Sequence, residues 1–245
     1  MRRTIGEAWR LQHKRPYFHG TKEASAMALT WKVAAGAELA TRTKQCTMSI
    51  MLDLSKAFER IPHAILYAHG VALGFCRRLI RMSLKAYRLP RRIGVNGIFS
   101  RLVLALQGVT AGDTFATTYM RLIMLSVMDR GHTLWRELLF ELYVDDASIA
   151  GAGRQPKRLA RRVATAVDFM VTYLQVGIKL EVSSAKSKAV GSLLAMGRHL
   201  VRKSRSGKLT AVKNSKLLGT TAAGGRQAMP RPVFPLAKVV LLVGA

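Results

Sequence analysis

The sequence feature that most constrains the fold is a pair of adjacent carboxylates, Asp145-Asp146, between two short apolar runs at residues 138–142 and 147–151. Such runs on either side of a polar break are typical of a strand, a tight turn and a second strand, because Asp tolerates turn conformations. We therefore predict a hairpin with both carboxylates at its tip. Adjacent acids repel one another unless a cation is bound, and Mg²⁺ prefers such oxygen ligands. A solvated Asp-Asp turn is the alternative.

The charge balance indicates a polyanionic partner. The 245-residue chain has 40 Lys and Arg against 13 Asp and Glu, a formal net charge of +27. This self-repulsion disfavours a compact fold unless a polyanion neutralises it, and nucleic acid is the commonest such partner. The alternative is a basic protein without such a partner. We expect no membrane partner, because no apolar run approaches the ~18 residues that a transmembrane helix requires.

The two cysteines point to a reducing compartment. Cys46 and Cys76 are isolated in the sequence and lack the spacing of metal ligands. They therefore exclude a zinc knuckle built from cysteines. The opening Met-Arg-Arg is not followed by an apolar core, so we see no secretory signal.

Hydrophobic patterning predicts an α+β fold. We predict an irregular segment over residues 1–21, a helix from Thr21 to about Ala40 with Trp31 in the core, and a buried strand over 46–54 that includes Asp53. Further helices are predicted over residues 63–73, 75–89, 111–128 and 156–175.

Further hairpins and strands complete the pattern. Asn96-Gly97 is the favoured two-residue hairpin turn, and the strand after it is predicted to reach about residue 106. Short strands are predicted around residues 178–182, 189–194 and 217–220. This order of elements predicts an antiparallel sheet with helices on one face.

Pairing the Asp53 strand with the Asp145-Asp146 hairpin would bring three carboxylates together. Three such groups can hold two Mg²⁺ ions about 4 Å apart, the arrangement used for displacement at phosphorus. In a strongly basic protein, this site is suited to joining or cutting nucleic acid.

Five motifs, in order along the chain, resemble those of reverse transcriptases, particularly the non-LTR (LINE-type) retrotransposon enzymes. The motifs are Leu-Asp-Leu-Ser-Lys-Ala-Phe-Glu-Arg-Ile-Pro at 52–62, Gln-Gly-Val-Thr-Ala-Gly at 107–112, Tyr-Val-Asp-Asp at 143–146, Gly-Ile-Lys-Leu at 177–180 with Lys-Ser-Lys at 186–188, and Leu-Leu-Gly at 217–219. Two residues depart from the family pattern: Glu59 stands where Asp is usual, and Asp113 where Pro is usual.

The resemblance implies a role for each matching residue. Asp53 and Asp145 would bind two Mg²⁺ ions (with Mn²⁺ as a substitute), Asp146 would support them, and Lys186 would assist departure of pyrophosphate. The residues expected to contact the nucleotide are Phe58, Gln107, Gly108 and Tyr143, with Phe58 favouring dNTP over rNTP. Leu218 and Gly219 would form the primer grip. The alternatives are a core-packed Phe58, a strand-ending turn at Gln107-Gly108 and a solvated Lys186.

By this resemblance the chain is a polymerase palm, a ferredoxin-like antiparallel sheet with helices on one face, plus partial fingers. We expect partial fingers over residues 1–45, the palm over 46–220, and a loosely ordered tail or thumb remnant over 221–245. The expected function is RNA-directed DNA polymerisation by a truncated retroelement enzyme, with an RNA template, a DNA primer or target, and dNTP. Its expected location is the nucleus.

Two alternatives remain open. The first is a catalytically inactive, nucleic-acid-binding retroelement fragment. The second is an intron maturase that uses the same palm to support RNA splicing.

Overall fold

The computed structural model of the protein describes residues 2–20, 24–110, 112–217 and 220–223. The α-helices of these residues are α1 (Arg2–Gln12), α2 (Ala26–Arg42), α3 (His63–Ala72), α4 (Arg77–Tyr87), α5 (Ala116–Leu134), α6 (Pro156–Thr172) and α7 (Leu194–Lys203). Their strands are β1 (Phe18–His19), β2 (Cys46–Leu52), β3 (Gly94–Val95), β4 (Ile98–Phe99), β5 (Leu139–Tyr143), β6 (Asp146–Gly153), β7 (Lys188–Gly191), β8 (Thr210–Val212), β9 (Asn214–Leu217) and β10 (Thr220–Ala223).

The main sheet has the strand order β1-β5-β6-β2-β7-β8. The four central strands pair antiparallel, whereas β1 and β8 pair parallel with their neighbours at the two edges. This sheet with its helices confirms the predicted α+β architecture. It also confirms that the Asp53 strand pairs with the Asp145-Asp146 hairpin.

The two faces of the main sheet have different surroundings. Side chains alternate between the faces of a strand, so Ile50 and Met51 point in opposite directions. Ile50 lies in the large hydrophobic core, where α5, α6 and α7 pack against the sheet. Met51 instead packs with Val190 and with Val33 of α2. We call the face opposite α5–α7 the open face; α2 covers one part of it.

The prediction of an irregular N-terminal segment is wrong, because α1 occupies most of residues 1–21. Trp9 anchors this helix: its side chain is buried, and its indole N–H donates a hydrogen bond to the Leu73 carbonyl at 2.8 Å. The ring of His13 stacks on Trp9 at 4.3 Å. Ile5 and Trp9, one helical turn apart, were the signal of this helix in the sequence.

The predicted start of the second helix is also wrong. Thr21 lies outside the described residues, and α2 begins at Ala26. The hydroxyl of Ser25 accepts a hydrogen bond from the backbone N–H of Ala28 at 3.2 Å and so caps the helix.

The prediction that Trp31 lies in the core is wrong as well. Its side chain is 61% exposed, and Met27 on the same stripe is 65% exposed. The buried residues of α2 are Leu29 and Ala40. Since alanines surround the whole helix, periodicity indicates a helix but does not identify which side faces the sheet.

The other boundaries differ where local hydrogen bonds override the pattern. The strand after Asn96-Gly97 ends at Phe99 and does not reach residue 106. The helix predicted over residues 111–128 begins at Ala116, because the Asp113 side chain accepts a hydrogen bond from the Phe115 N–H at 2.6 Å. Ala111 lies outside the described residues.

The C-terminal half contains two further differences. Residues Tyr173–Ile178 extend α6 as π-helix, and Lys179 follows with a φ of 65°, so the strand predicted around residues 178–182 is wrong. Helix α7 was not predicted. Among the described residues, no helix has the length and hydropathy needed to cross a bilayer.

Candidate active site

The pairing of β2 with β6 brings Asp53 and Asp146 to neighbouring positions. Leu52 is paired with Ala147, and each aspartate is the next residue beyond that pair. Leu52 and Ala147 are buried in the core. Because side chains alternate along a strand, Asp53 and Asp146 belong to the open face.

The turn of the β5–β6 hairpin is made by Val144 and Asp145, because Tyr143 is already paired with Asp146. The prediction that both carboxylates sit in the turn is therefore corrected: Asp145 is a turn residue and Asp146 begins a strand. Val144 has a φ of 59°, which is uncommon for a β-branched residue. Gly20 lies against the side chains of Val144 and Tyr143.

Mutual repulsion and burial act on the carboxylates of this site. Although Asp146 is exposed, desolvation by the surrounding residues raises its pKa to about 6, with further contributions from Asp145 and Asp53 that Lys186 partly offsets. Burial and the charge of Asp53 also raise the pKa of Asp145. The shifts mean that the three side chains experience one another's charge.

Backbone hydrogen bonds fix the position of Asp53, whereas one oxygen of its carboxylate has no hydrogen-bond partner. Its N–H donates to the Ser187 hydroxyl at 3.1 Å, and its carbonyl accepts from the Ser183 N–H at 2.9 Å. One carboxylate oxygen lies 3.8 Å from the Lys186 ammonium. The other, Oδ2, is buried without a hydrogen-bond partner. A buried acceptor without a partner is costly and is a position that a cation can satisfy.

The carboxylate oxygens of Asp53, Asp145 and Asp146 are suitable ligands for a divalent cation, although the three side chains are not preorganised around one point. No cluster of three or more His, Cys, Asp or Glu side chains in the described ranges is close enough to hold a metal ion as it stands. The carboxylates of Asp53, Asp145 and Asp146 nevertheless provide the hard oxygen ligands that Mg²⁺ prefers. The unpartnered Asp53 oxygen and the raised pKa of Asp146 are both relieved by a bound cation.

Phe58 and the Gln107-Gly108 segment are held next to each other by backbone hydrogen bonds. Val109 donates to the Phe58 carbonyl at 2.8 Å, and Gly108 donates to the Ile61 carbonyl at 2.8 Å. Phe58 itself is half-buried and packs against the core. These bonds join the segment after Asp53 to the loop that precedes α5.

The backbone of Gly108 lies in close contact with the backbone of Glu59. The φ of Gly108 is 93°, and a Cβ atom there would lie 2.8 Å from the Glu59 carbonyl oxygen. Only glycine fits both the backbone conformation and the contact. Gln107 is exposed, and its backbone pairs with Pro62.

His63 was not predicted as a site residue. Its Nε2–H donates to the Gly108 carbonyl at 2.8 Å, and its Nδ1 accepts from the Arg88 guanidinium at 3.3 Å. Burial lowers the pKa of His63, and Arg88 adds to that effect, whereas the bond to Gly108 opposes it. The neutral imidazole therefore fixes the glycine loop. The signal available in the sequence was a histidine directly after Pro62.

Glu141 was also missed, although it lies two residues before Tyr143 on the same strand. Its buried carboxylate accepts hydrogen bonds from the Lys32 ammonium and from the Nε2–H of His19, the latter at 2.5 Å. This cluster attaches α2 and β1 to the strand that leads into the turn. A charged residue inside an apolar run was the available signal.

The remaining predicted residues have simple surroundings. Lys186 is 73% exposed and makes its ion pair with Asp53. Tyr143 is half-buried beside Gly20. Leu218 and Gly219, the predicted primer grip, lie outside the described residues.

Comparison with protein families identifies one match over most of the chain. A family model described as "Reverse transcriptase (RNA-dependent DNA polymerase)" matches residues 9–221. No curated protein sequence is significantly similar to the chain.

The chain is also similar to solved structures of telomerase. A telomerase from Candida tropicalis, truncated from its C-terminal domain, matches with a TM-score of 0.61 and 10% identity, over 91% of this chain and 43% of that one. A telomerase from Candida albicans in complex with the TWJ fragment of telomeric RNA matches with a TM-score of 0.58 and 11% identity, over 94% of this chain and 37% of that one.

The chain therefore spans less than half the length of these telomerases. At such low identity the likeness concerns the fold, and it confirms the predicted palm-like α+β architecture.

Proposed function

The chain belongs to the reverse transcriptase family, and we propose that it acts as an RNA-directed DNA polymerase that transfers dNTP to a primer 3′-hydroxyl. The observation that carries this proposal is the register of β2 and β6, which sets Asp53 beside Asp146 on the open face, next to the Asp145 turn. A family match over residues 9–221 supports the same reaction class.

The carboxylates are the chemical centre of the proposed reaction. Asp53 and Asp145 would hold two Mg²⁺ ions, with Mn²⁺ as a substitute, and Asp146 would support them. Bound divalent ions in such a site lower the pKa of the attacking hydroxyl and neutralise charge on the leaving phosphates. The repulsion among the carboxylates favours cation binding, because each bound charge relieves the raised pKa of Asp146.

The remaining residues would position substrates. Phe58 would crowd the ribose 2′ position, and Gln107 and Gly108 would contact the incoming nucleotide and the template. The absence of a side chain at Gly108 lets the backbone approach closely. Tyr143 would line the nucleotide site beside the turn. Lys186, whose exposed ammonium is already directed at Asp53, would assist departure of pyrophosphate.

The wider context is proposed from the motifs. We assign the chain to the non-LTR type of retroelement, with an RNA template and a DNA primer or target as partners. Residues 1–45 would contribute partial fingers and residues 46–220 the palm, with the primer grip at Leu218 and Gly219. Residues 221–245, of which 224–245 lie outside the described residues, would be a loosely ordered tail or a thumb remnant. The nucleus, where retroelement RNA and target DNA meet, is the proposed location.

Primer extension tests this function directly. Wild-type protein, given poly(rA)–oligo(dT), dTTP and Mg²⁺, should extend the primer, and Asp146→Asn should lower the rate at least about 10²-fold because a charge that acts on the transition state is removed. Glu38→Gln is the matched control, since Glu38 is an exposed carboxylate on α2 that pairs with Arg42.

The result separates the polymerase from the inactive nucleic-acid-binding fragment. Salt-sensitive RNA binding by the wild type without any extension would contradict the polymerase and favour an inactive nucleic-acid-binding fragment. Equal extension by wild type and Asp146→Asn would contradict the assignment of the site.

A further inference from the structure

A cluster of basic side chains lies where α6 and α7 pack together, away from the carboxylates. We call Lys157, Arg161, Arg202 and Lys203 the α6–α7 patch. Helices α6 and α7 pack directly against each other. The four cations also lie close enough to His199 of α7 for their charges to lower its pKa. Lys157 and Arg161 are one helical turn apart, as are His199 and Lys203.

The patch is separated from the active site by the sheet itself. Helices α6 and α7 pack on the core face, whereas Asp53 and Asp146 belong to the open face. Along the sheet, α6 begins just after β6 ends, and β6 is 8 residues long. At about 3.3 Å per residue, its two ends lie ~23 Å apart. The sheet therefore lies between the patch and the carboxylates, and the start of α6, with Lys157 and Arg161, is also distant from them along the sheet.

Local acids do not neutralise the patch. From residue 156 to 203 the sequence contains only two acids, Asp168 and Glu181. Glu181 pairs with Arg60. Asp168 accepts hydrogen bonds from the Ser204 hydroxyl and from the backbone N–H groups of Arg205 and Ser206. In the part of the chain that the structure describes, none of the four patch cations forms an ion pair.

The same Asp168 bonds hold the two helices in register. They attach the segment directly after α7 to the side of α6 at distances of 2.6–3.1 Å. The cations of the last turn of α7 are therefore fixed relative to those of α6. Unpaired like charges held close together repel one another, and they persist at a net stability cost that a polyanion removes.

We propose that the α6–α7 patch binds the phosphate backbone of a nucleic-acid segment that lies outside the active site. Four cations on two rigid helices match the dense, regular charge of a nucleic-acid backbone. Such a surface would hold the template RNA, or the DNA to be extended, while the carboxylate site acts on another part of it.

The composition of the surface disfavours an anionic membrane. Membrane-surface helices combine basic residues with exposed large apolar side chains that enter the lipid. No described residue of Pro156–Thr172 or of α7 is an exposed large hydrophobic side chain; the exposed ones beside them are Val176, in the π-helical extension of α6, and Leu193, directly before α7. The two helices that carry the cations therefore offer charge without the row of apolar side chains that a membrane-surface helix presents.

His199 provides a spectroscopic reporter at the centre of the patch. Burial lowers its pKa, and the neighbouring cations Arg202, Lys203, Lys157 and Arg161 lower it further. Phosphates bound to those cations would offset their repulsion, so the pKa of His199 should rise when nucleic acid occupies the patch.

The test compares two charge-matched variants of the full chain. The patch variant carries Lys157→Gln, Arg161→Gln, Arg202→Gln and Lys203→Gln. The control carries Arg77→Gln, Arg78→Gln, Arg81→Gln and Lys85→Gln, which removes the same charge from exposed positions of α4. Binding of a 3′-blocked RNA hairpin and of a DNA hairpin of the same sequence is measured across a salt series, with phosphatidylserine–phosphatidylcholine vesicles as a third probe.

The patch variant should bind at least one hairpin about tenfold more weakly than wild type and reduce the log–log salt slope by about 3, the value for four lost phosphate contacts. The control variant should lose much less affinity for the hairpins than the patch variant. Extension of a saturating short template–primer should be the same in the patch variant as in wild type. The hairpin whose binding is weakened more by the patch substitutions shows whether the α6–α7 patch binds RNA or DNA.

Equal losses in the patch and control variants would overturn the proposal, as would no loss in either or a loss of vesicle binding alone. If the fourfold variant does not fold, Arg161→Gln/Arg202→Gln and the His199 titration in wild type decide the question, and an unchanged pKa with RNA bound contradicts it. Absence of extension by wild type would count against the polymerase and leave the patch result intact.

Discussion

The β3–β4 and β5–β6 hairpins both turn through two residues, but different interactions hold them. The first turns at Asn96-Gly97, with φ values of 49° and 80°, which these residue types adopt readily. The second turns at Val144-Asp145, where Val144 has a φ of 59° that a β-branched residue disfavours. The hairpin with the favourable turn is exposed on all sides, and the hairpin with the unfavourable turn carries two carboxylates of the site.

Tertiary contacts explain the difference. The β5–β6 hairpin lies between β1 and β2 in the main sheet, and Phe140 and Ile149 fix its inner side in the core. The β3–β4 hairpin pairs only with itself, and Ile98 at its tip is 78% exposed. Local turn chemistry suffices for an exposed arm, whereas a functional turn can be strained because its surroundings determine it.

Truncation of one large apolar residue in each hairpin should give the largest contrast. Phe140→Ala should destabilise the protein by about 3–5 kcal/mol, because it opens a cavity in the packed core. Ile98→Ala should change stability by less than about 0.5 kcal/mol, since its side chain is already in water. Urea unfolding at neutral pH measures both, and similar losses would show that the β3–β4 hairpin is packed as well.

The loop that contains Gly108, which follows the β3–β4 hairpin in the chain, should be rigid, although the tip of that hairpin is exposed. Gly108→Ala should cost about 1–3 kcal/mol and weaken dNTP binding, because the added Cβ meets the Glu59 carbonyl at 2.8 Å. Gly112→Ala is the matched control: its φ of 83° imposes similar backbone strain, but no atom lies within 4 Å. Thermal unfolding and the KM for dNTP are measured together, and equal effects at the two glycines would contradict a close contact between Gly108 and the Glu59 carbonyl.

Relief of the strained turn should separate stability from function. Val144→Gly should raise stability by up to about 1 kcal/mol, because removal of a left-handed β-branched residue outweighs the entropy cost of glycine. Primer extension should fall, since the looser turn no longer holds Asp145 in place. Asn96→Gly is the control in the exposed turn, where Asn already tolerates a positive φ. A loss of stability in Val144→Gly would show that side-chain contacts dominate over strain.

The smallest effect concerns pH. The pKa of His63 is lowered in the folded protein, so between that value and about 6.5 the unfolded chain binds a proton that the folded chain does not. His63 therefore contributes a loss of stability as pH falls below about 6.5, with a slope of at most about 1.4 kcal/mol per pH unit.

The free energy of unfolding of wild type and of His63→Gln is measured with urea between about pH 5 and 7.5. The difference between the two proteins isolates the contribution of His63, because the opposite pH dependence contributed by Asp146 is present in both. A difference that is independent of pH would contradict a neutral His63 donating to Gly108.

The sequence predicted the elements that motif and periodicity define together. The Asp53 strand, the hairpin before Asp146 and the Asn96-Gly97 turn were all predicted from residue type and spacing. Their pairing followed from topology, because short strands with acids at their ends fit one antiparallel sheet.

The features that sequence did not predict depend on contacts between distant segments. Trp31 is exposed because the sheet lies against another side of α2, which an alanine-rich helix does not specify. His63 and Glu141 gain their roles only when Gly108 and Lys32 are brought to them. The roles assigned to Phe58, Gln107, Tyr143 and Lys186 stay predictions.

Cation binding by the carboxylates is the most direct test of the central claim, that Asp53, Asp145 and Asp146 form one metal site on the open face. Mn²⁺ binding, followed by electron paramagnetic resonance, should weaken at least about tenfold in Asp53→Asn and in Asp146→Asn, because each removes an oxygen ligand's charge. Glu38→Gln should bind as wild type does. Equal Mn²⁺ affinity in all four proteins would contradict the claim.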